Sequence, residues 1–199
     1  MKLLFVAVHP LSQWAWESGW VNYDLSAPAR RDIKGLTAAI ESAEDAASLQ
    51  ARLSVPRYGV FDLVGRARRS PIIGGLLLAG TALDQNGKPT KPLQVLETIP
   101  ELDPVDPDPG AVTAQLAELA HGDLVTVRFS DGAYGDFGVT GIAVWSVPGT
   151  TFLVGGWLIG SAGAPAPRVT ELVRLAPVGD HPWPVPAQIT VVGEDIGID

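Results

Sequence analysis

Three histidines are the side chains best suited to acid–base chemistry near neutral pH, because an unperturbed imidazole titrates there. They stand at positions 9, 121 and 181, with no spacing that suggests shared metal ligation. His121 precedes Gly122 at the end of a predicted helix, and we interpret it as a C-terminal imidazole beside a capping glycine, where positive charge is favourable. An enzyme would instead have to combine His121 with carboxylates such as Asp131 and Asp136.

The remaining chemical motifs are also incomplete. Asp103, Asp106 and Asp108 alternate with prolines and lack the turn glycine and final glutamate of a calcium loop, so we interpret them as part of a stiff connector. The pairs Gly74-Gly75 and Gly155-Gly156 precede no predicted helix, and the sequence contains neither Gly-Lys-Ser/Thr nor Gly-x-Ser-x-Gly. We therefore predict a protein that is not an enzyme, with no catalytic residue, no metal site and no cofactor.

Composition limits the partners and the location. The 199 residues carry a formal net charge of −8, which opposes nucleic-acid binding through many phosphate contacts, and they include no cysteine. The apolar run at residues 3–8 stops at His9-Pro10, and the run at residues 72–83 is too short to span a bilayer. We expect no signal peptide, no transmembrane segment and no membrane insertion, with a virion or the bacterial cytoplasm as the location.

The elements that must position any site come from an internal repeat. Shifting the chain by 76 positions aligns residues 32–100 with 108–176 without a gap, and 16 of the 69 pairs are identical. Average composition would give about 4 to 6. The identical pairs include Arg52/Arg128, Phe61/Phe137 and Gly80/Gly156, as well as Tyr58/Tyr134 and Gly87/Gly163. This predicts two copies of one module, in which these residues occupy equivalent places.

Each copy has the pattern of a helix followed by strands. Asp32 and Asp108 are the predicted N-caps, and apolar residues follow at helical spacing, with the second helix expected over 111–120. Residues 123–129 alternate as a strand, Asp131-Gly132 predicts a hairpin turn, and further strands are expected at 134–147, 151–159 and 168–175. Copy one has Asn86-Gly87 as a further hairpin signal.

The segment from Gly122 to Gly132 resembles the first strand and Asp-Gly hairpin of Sm-like domains, and the whole module resembles Sm-like and SH3-like small barrels. The RNA-contacting asparagine of the Sm loop is not carried over, because Thr150-Thr151 and Gly74-Gly75 stand there. The resemblance implies an α+β, mainly β fold with two tandem small barrels, each a helix followed by four to five antiparallel strands, and extended terminal arms. It implies an architecture and not an activity.

This division gives five segments. They are an N-terminal arm with a tryptophan cluster at Trp14, Trp16 and Trp20 (1–31), module copy one (32–103), a Pro/Asp linker (104–107), module copy two (108–179) and an acidic C-terminal arm (180–199).

The positions at which the copies disagree are the candidate contacts. On the long second strand, copy one has Arg66, Arg68 and Arg69 where copy two has Ile142, Val144 and Trp145. One interpretation makes the arginines a contact for an acidic partner. In the other interpretation, the terminal segments or the other module cover Ile142 and Val144, and the arginines merely face water.

Two non-enzymatic functions follow from these patterns. Duplication and the arms favour an assembly or interaction protein, for which a structural component of a bacteriophage virion is one example, acting through a protein partner or self-assembly. The alternative is an acidic cytoplasmic binding or immunity-type protein, which the net charge favours. An enzyme ranks last.

Overall fold

The computed structural model describes residues 32–56, 58–72, 75–85, 88–147, 151–160 and 168–187. The N-terminal arm with its tryptophans, Asn86-Gly87, Gly163 and residues 188–199 lie outside the described residues. Two helices and twelve strands are described: α1 (Ile33–Ser42), β1 (Ser48–Val55), β2 (Gly59–Ser70), β3 (Gly75–Leu78), β4 (Thr81–Ala82), β5 (Asp84–Gln85), β6 (Lys88–Pro89), β7 (Leu93–Thr98), α2 (Pro109–Glu118), β8 (Leu124–Asp131), β9 (Gly135–Val147), β10 (Thr151–Val154), β11 (Trp157–Gly160) and β12 (Arg168–Ala176).

Both helices begin at the predicted caps. The Asp32 carboxylate accepts a hydrogen bond from Gly35 N at 3.0 Å, and the Asp108 carboxylate accepts one from Ala111 N at 3.0 Å. The second helix starts two residues earlier than predicted, because Pro109 at the first position has a φ that already suits a helix. In the described part of the chain, no helix is long and apolar enough to cross a membrane.

The strands repeat with the same shift as the sequence. β1 and β8 begin at residues 48 and 124, β2 and β9 at 59 and 135, and β3 and β10 at 75 and 151. In the first half the strand order is β7-β1-β2-β3-β4, and in the second it is β12-β8-β9-β10-β11, with every pair antiparallel. Equivalent stretches of sequence therefore form equivalent strands.

The two halves join through their long strands. β2 pairs with β9, so that Phe61 lies opposite Gly141 and Gly65 lies opposite Phe137. Between them Leu63 lies opposite Val139, which is its own equivalent in the other copy. A pairing in which a residue meets its equivalent at the centre is the isologous pattern of a two-fold interface, here formed within one chain.

The sheet is open. Ten strands join into one antiparallel sheet, and β5 and β6 form a separate two-stranded sheet. Two closed small barrels are not confirmed, because the described part of β7 pairs only with β1, that of β4 pairs only with β3, and the long strands pair with each other. The coarser expectation of a mainly β, α+β fold with antiparallel strands is confirmed.

One apolar core serves both halves. Its largest fully buried side chains include Phe61, Phe129 and Phe137. The rings of Phe129 and Phe137 stack with centroids 5.1 Å apart, and Trp157 packs 4.8 Å from Phe137. Residues of both copies belong to this cluster, which includes Leu36 and Ile40 of α1. The halves are therefore held by shared apolar burial as well as by strand pairing.

The expected single strand over 151–159 is wrong. Gly155 and Gly156, with φ of 59° and 99°, form a two-residue turn that separates β10 from β11. A turn with positive φ at both central residues matches the twist of a hairpin, and glycine adopts it without strain. Ala79 and Gly80 make the corresponding turn in copy one, with φ of 45° and 76°.

Candidate functional site

Residues 177–187 form a C-terminal strap that crosses the outer face of the sheet. Val178 N donates to Asp123 Oδ1 at 3.1 Å, and His181 Nε2 donates to the Gly122 carbonyl at 2.8 Å. Farther along, Trp183 packs on the apolar side chains of the sheet and Pro186 lies against Gly59 of β2. The strap therefore runs from the second half onto the first.

Asp123 anchors this strap. Its carboxylate is fully buried and accepts hydrogen bonds from Ala120 N at 2.9 Å and from Arg174, whose Nε forms an ion pair with it at 2.8 Å. Together with the bond from Val178, these contacts satisfy a carboxylate that burial would otherwise penalise. Asp123 thus has a structural role.

The C-terminal strap covers two of the three apolar candidate residues of copy two. Ile142 and Val144 are buried beneath Trp183, in a cluster that also holds Leu124 and Ala176. Trp145 is half-buried, and its ring lies 6.2 Å from that of Phe152. The apolar edge of copy two is therefore covered by the chain's own strap.

The basic candidates of copy one separate into two groups. Arg66 and Arg68 are exposed, and Arg66 forms an ion pair with Glu101. Arg69 binds the C-terminal end of α1, where its guanidinium donates to the carbonyl of Glu41 at 2.7 Å and to that of Ala43 at 2.7 Å. Such contacts satisfy carbonyls that a helix end leaves open. Arg69 is thus held at the end of α1, although all three arginines are exposed.

A groove of about 400 Å³ lies beside Arg66. We call it the Arg66 groove, and its lining residues are Ala46, Ala47, Ser48, Arg66, Thr98, Ile99 and Glu101. The equivalents of the first three are Gly122, Asp123 and Leu124, which the C-terminal strap contacts in copy two. The same place on the module is therefore occupied in one half and open in the other.

The expected role of His121 is wrong. α2 ends at Glu118, so His121 lies in the turn before β8 and not at the helix end. Its Nδ1 accepts a hydrogen bond from Trp145 N at 3.1 Å, which requires an unprotonated nitrogen at that position. In copy one, the equivalent Asp45 accepts from Arg69 N at 2.9 Å. His121 and Asp45 therefore have the same structural role, which is to accept a hydrogen bond from the equivalent backbone N–H.

The possible catalytic set does not assemble. Asp131 accepts hydrogen bonds from Ala133 N at 2.7 Å and Tyr134 N at 2.9 Å, which closes the β8–β9 turn. His121 stands at the opposite end of β8, more than about 20 Å away at about 3.3 Å per residue. Within the described ranges, no cluster of three or more histidine, aspartate or glutamate side chains is placed to hold a metal ion.

A buried ion pair joins β1 and β2 in copy one. Arg52 and Asp62 are cross-strand neighbours, and two hydrogen bonds of 2.9 Å connect the guanidinium to the carboxylate. The guanidinium lies 5.7 Å from the ring centre of Trp183. Burial raises the pKa of Asp62 to about 6, against the opposing effect of Arg52. The C-terminal strap thus covers a charged pair as well as apolar residues.

The equivalent arginine of copy two is paired more loosely. Arg128 is 4% exposed, its Nε lies 4.0 Å from Glu171 Oε2, and burial lowers its pKa. Its Nη2 has no hydrogen-bond partner among the described residues. The identity of Arg52 and Arg128 in the repeat was the only sequence signal for this position.

Comparison of the chain with protein-family models, with curated proteins and with solved structures gives no match. Its function must therefore be inferred from the arrangement of its own residues.

Proposed function

We propose that this protein is a non-enzymatic assembly or interaction protein that holds an acidic segment of a partner in the Arg66 groove. The observation that carries the proposal is the difference between the two equivalent grooves. The C-terminal strap fills the one in copy two, whereas the one in copy one is open beside Arg66, and Arg68 is exposed two residues farther along the same strand.

The filled groove indicates what kind of occupant the open groove takes. In copy two the occupant is a stretch of chain without regular secondary structure, and Val178 and Val185 lie against Gly122. In copy one, Ile142 and Val144 are replaced by Arg66 and Arg68, so an apolar stretch would leave two charges poorly solvated. An extended segment that carries carboxylates suits this groove better.

The negative charge of the whole chain restricts where an acidic partner can bind. The chain carries −8 in total, so an acidic partner is repelled by most of the surface and attracted where the two arginines lie. Each exposed ion pair contributes only about 0 to 1 kcal/mol, so we expect weak and salt-sensitive recognition.

The state of the other titratable groups supports a non-enzymatic role. Arg69 caps α1, His121 accepts a backbone hydrogen bond, and Asp123 anchors the C-terminal strap. Asp62 is bound by Arg52 on a covered part of the sheet. Each of these side chains has a partner that explains its presence through the fold.

The proposal allows assembly with a second copy of this chain as well as assembly with an unlike protein. Tandem copies of one small bent-sheet module, one closed by its own strap and one open, suit a structural component of a bacteriophage particle that joins unlike neighbours. The alternative is an acidic binding or immunity-type protein that masks a basic partner, and the net charge of −8 favours it.

The test is the double variant Arg66→Ala/Arg68→Ala, with exposed Lys34→Ala on α1 as the matched control. Arg69 stays unchanged because its loss would alter the end of α1. The mass in solution and the binding of any co-purifying protein are measured across a salt series. We expect the double variant to bind more weakly, with a shallower salt dependence, and the control to match wild type.

Unchanged binding, or a monomer without any partner, would refute the proposal. Binding to a basic partner that the double variant strengthens would favour the alternative.

A further inference from the structure

The two equivalent buried arginines differ in what lies across from them on the next strand. In copy one, Arg52 lies opposite Asp62 of β2. In copy two, Arg128 lies opposite Gly138 of β9, which has no side chain to offer. Arg52 therefore has a carboxylate opposite it on the next strand, whereas Arg128 has a glycine without a side chain there.

The acidic partner of Arg128 in copy two lies on the other neighbouring strand, β12. Glu171 of β12 lies opposite Arg128, where copy one has Val95 opposite Arg52. It does not replace Asp62 fully, because its Oε2 is 4.0 Å from Arg128 Nε, against 2.9 Å for each bond of the other pair. Arg128 Nη2 and Glu171 Oε2 are both buried without a hydrogen-bond partner in the described part of the chain. Leaving such groups unsatisfied is costly, and more so for a charged one.

Arg128 is one of the residues that line a cavity. It measures about 180 Å³ and is lined by Arg128, Phe129, Ser130, Asp136, Thr170, Val105 and Pro107. Since one water occupies about 30 Å³ in the liquid, there is room for several waters or for a small molecule.

The repeat explains why the cavity is there. Pro107 lies 76 positions before Trp183, the same shift as in the repeat but beyond its aligned residues, and the indole of Trp183 lies by Arg52 in copy one. Copy two therefore lacks two groups that copy one has at this point, the carboxylate of Asp62 and the ring of Trp183.

We propose that the cavity lined by Arg128 binds a small molecule with a carboxylate, which supplies to Arg128 the counter-charge that Asp62 supplies to Arg52. A hydrogen bond between a guanidinium and a carboxylate carries charge on both partners and is stronger than a neutral one. The hydroxyl groups of Ser130 and Thr170 line the same cavity and can donate to the ligand. The site lies apart from the Arg66 groove and does not depend on the function proposed for that groove.

The neighbouring acids narrow the class of ligand. Asp136 lines the cavity with an exposed side chain, and Glu171 lies beside the guanidinium, so both repel a bare anion. A ligand that also carries an ammonium group is attracted by these two carboxylates. A free α-amino acid has both charges next to each other and a size that suits the cavity.

The experiment is a titration of ¹⁵N-labelled protein with sodium acetate and separately with glycine, with sodium chloride keeping the ionic strength constant. The Nε–H signal of Arg128 reports the contact directly. We expect a saturable shift with glycine, a weaker one with acetate and none with chloride alone. Saturation by acetate with equal or higher affinity would still support the carboxylate site and would identify a simple carboxylate as the ligand.

Gly138→Asp supplies a carboxylate within the chain, and the φ of Gly138 is not in the left-handed region, so its backbone conformation suits a residue with a side chain. We expect this variant to reduce the affinity for both probes by at least about tenfold, a change of about 1.4 kcal/mol. Arg128→Gln must abolish binding, and it keeps the test decisive if Gly138→Asp does not fold. Exposed Lys34→Ala is the control for non-specific charge and must bind as wild type does. Absence of saturation in the wild-type protein, or an equal response from Gly138→Asp or Arg128→Gln, would overturn the proposal.

Discussion

Truncation of Trp183 tests whether the C-terminal strap holds the two halves together. The side chain is 6% exposed and covers Leu124, Ile142 and Val144, and the Arg52 guanidinium lies 5.7 Å from its ring centre. Replacing a buried tryptophan by alanine costs about 3 to 5 kcal/mol, because the apolar contacts are lost and the space is only partly refilled. The contact with the guanidinium accounts for about 0.5 to 2 kcal/mol of such a loss. We therefore expect Trp183→Ala to reduce the free energy of unfolding by about 3 to 5 kcal/mol.

Urea unfolding followed by far-ultraviolet circular dichroism measures this change. Val185→Ala is the matched control, since this valine belongs to the same strap and is 41% exposed, and we expect it to cost within about 0.5 kcal/mol. A loss below about 1 kcal/mol for Trp183→Ala, or equal losses for both variants, would show that the strap does not stabilise the sheet.

Three further changes test other parts of the structure. Because burial raises the pKa of Asp62 from 3.8 to about 6, the folded state holds that proton more tightly, so its contribution to stability falls as the pH rises from about 4 to about 6. Urea unfolding of wild type and Asp62→Asn across this range isolates the effect, and a rise would contradict it. Arg69→Ala should cost about 1.5 to 3 kcal/mol through lost bonds to the end of α1, against at most about 0.5 for exposed Arg68→Ala; equal costs in urea unfolding would rule out the cap. Phe61→Ala and Phe137→Ala should each cost about 3 to 5 kcal/mol by the same measurement, and losses under about 1 kcal/mol for both would contradict their burial.

Local features of the fold could be predicted from the sequence because their causes lie within a few residues. Asp32 and Asp108 cap helices through bonds that span three residues, and both bonds are present. The alternating pattern around Phe129 and Phe137 located strands of the core correctly.

Long-range contacts could not be predicted in this way. The pairing of β2 with β9 joins residues about 75 positions apart in the chain, and no local pattern selects it over closure of each half into a barrel. The path of the C-terminal strap depends on one tryptophan finding an apolar patch on the opposite strands, which a single sequence does not reveal.

The candidate site was predicted only in part. The difference between the copies at Arg66 and Arg68 pointed to the groove that the structure leaves open. Arg69 looked the same in sequence, but its contacts with the end of α1 depend on how the helix packs. The loose pairing of Arg128 could not be predicted because its cross-strand neighbours come from two other strands, β9 and β12.

The meeting of Leu63 with Val139 has a consequence for the protein on dilution. In a dimer of separate chains, such a pairing would dissociate below its dissociation constant, and stability would depend on concentration. Here the connection through residues 101–108 makes the pairing intramolecular, and short tethers give effective concentrations in the millimolar range. The two halves therefore stay together at any protein concentration, and each side of the two-fold axis can acquire its own chemistry because a substitution changes only one of them.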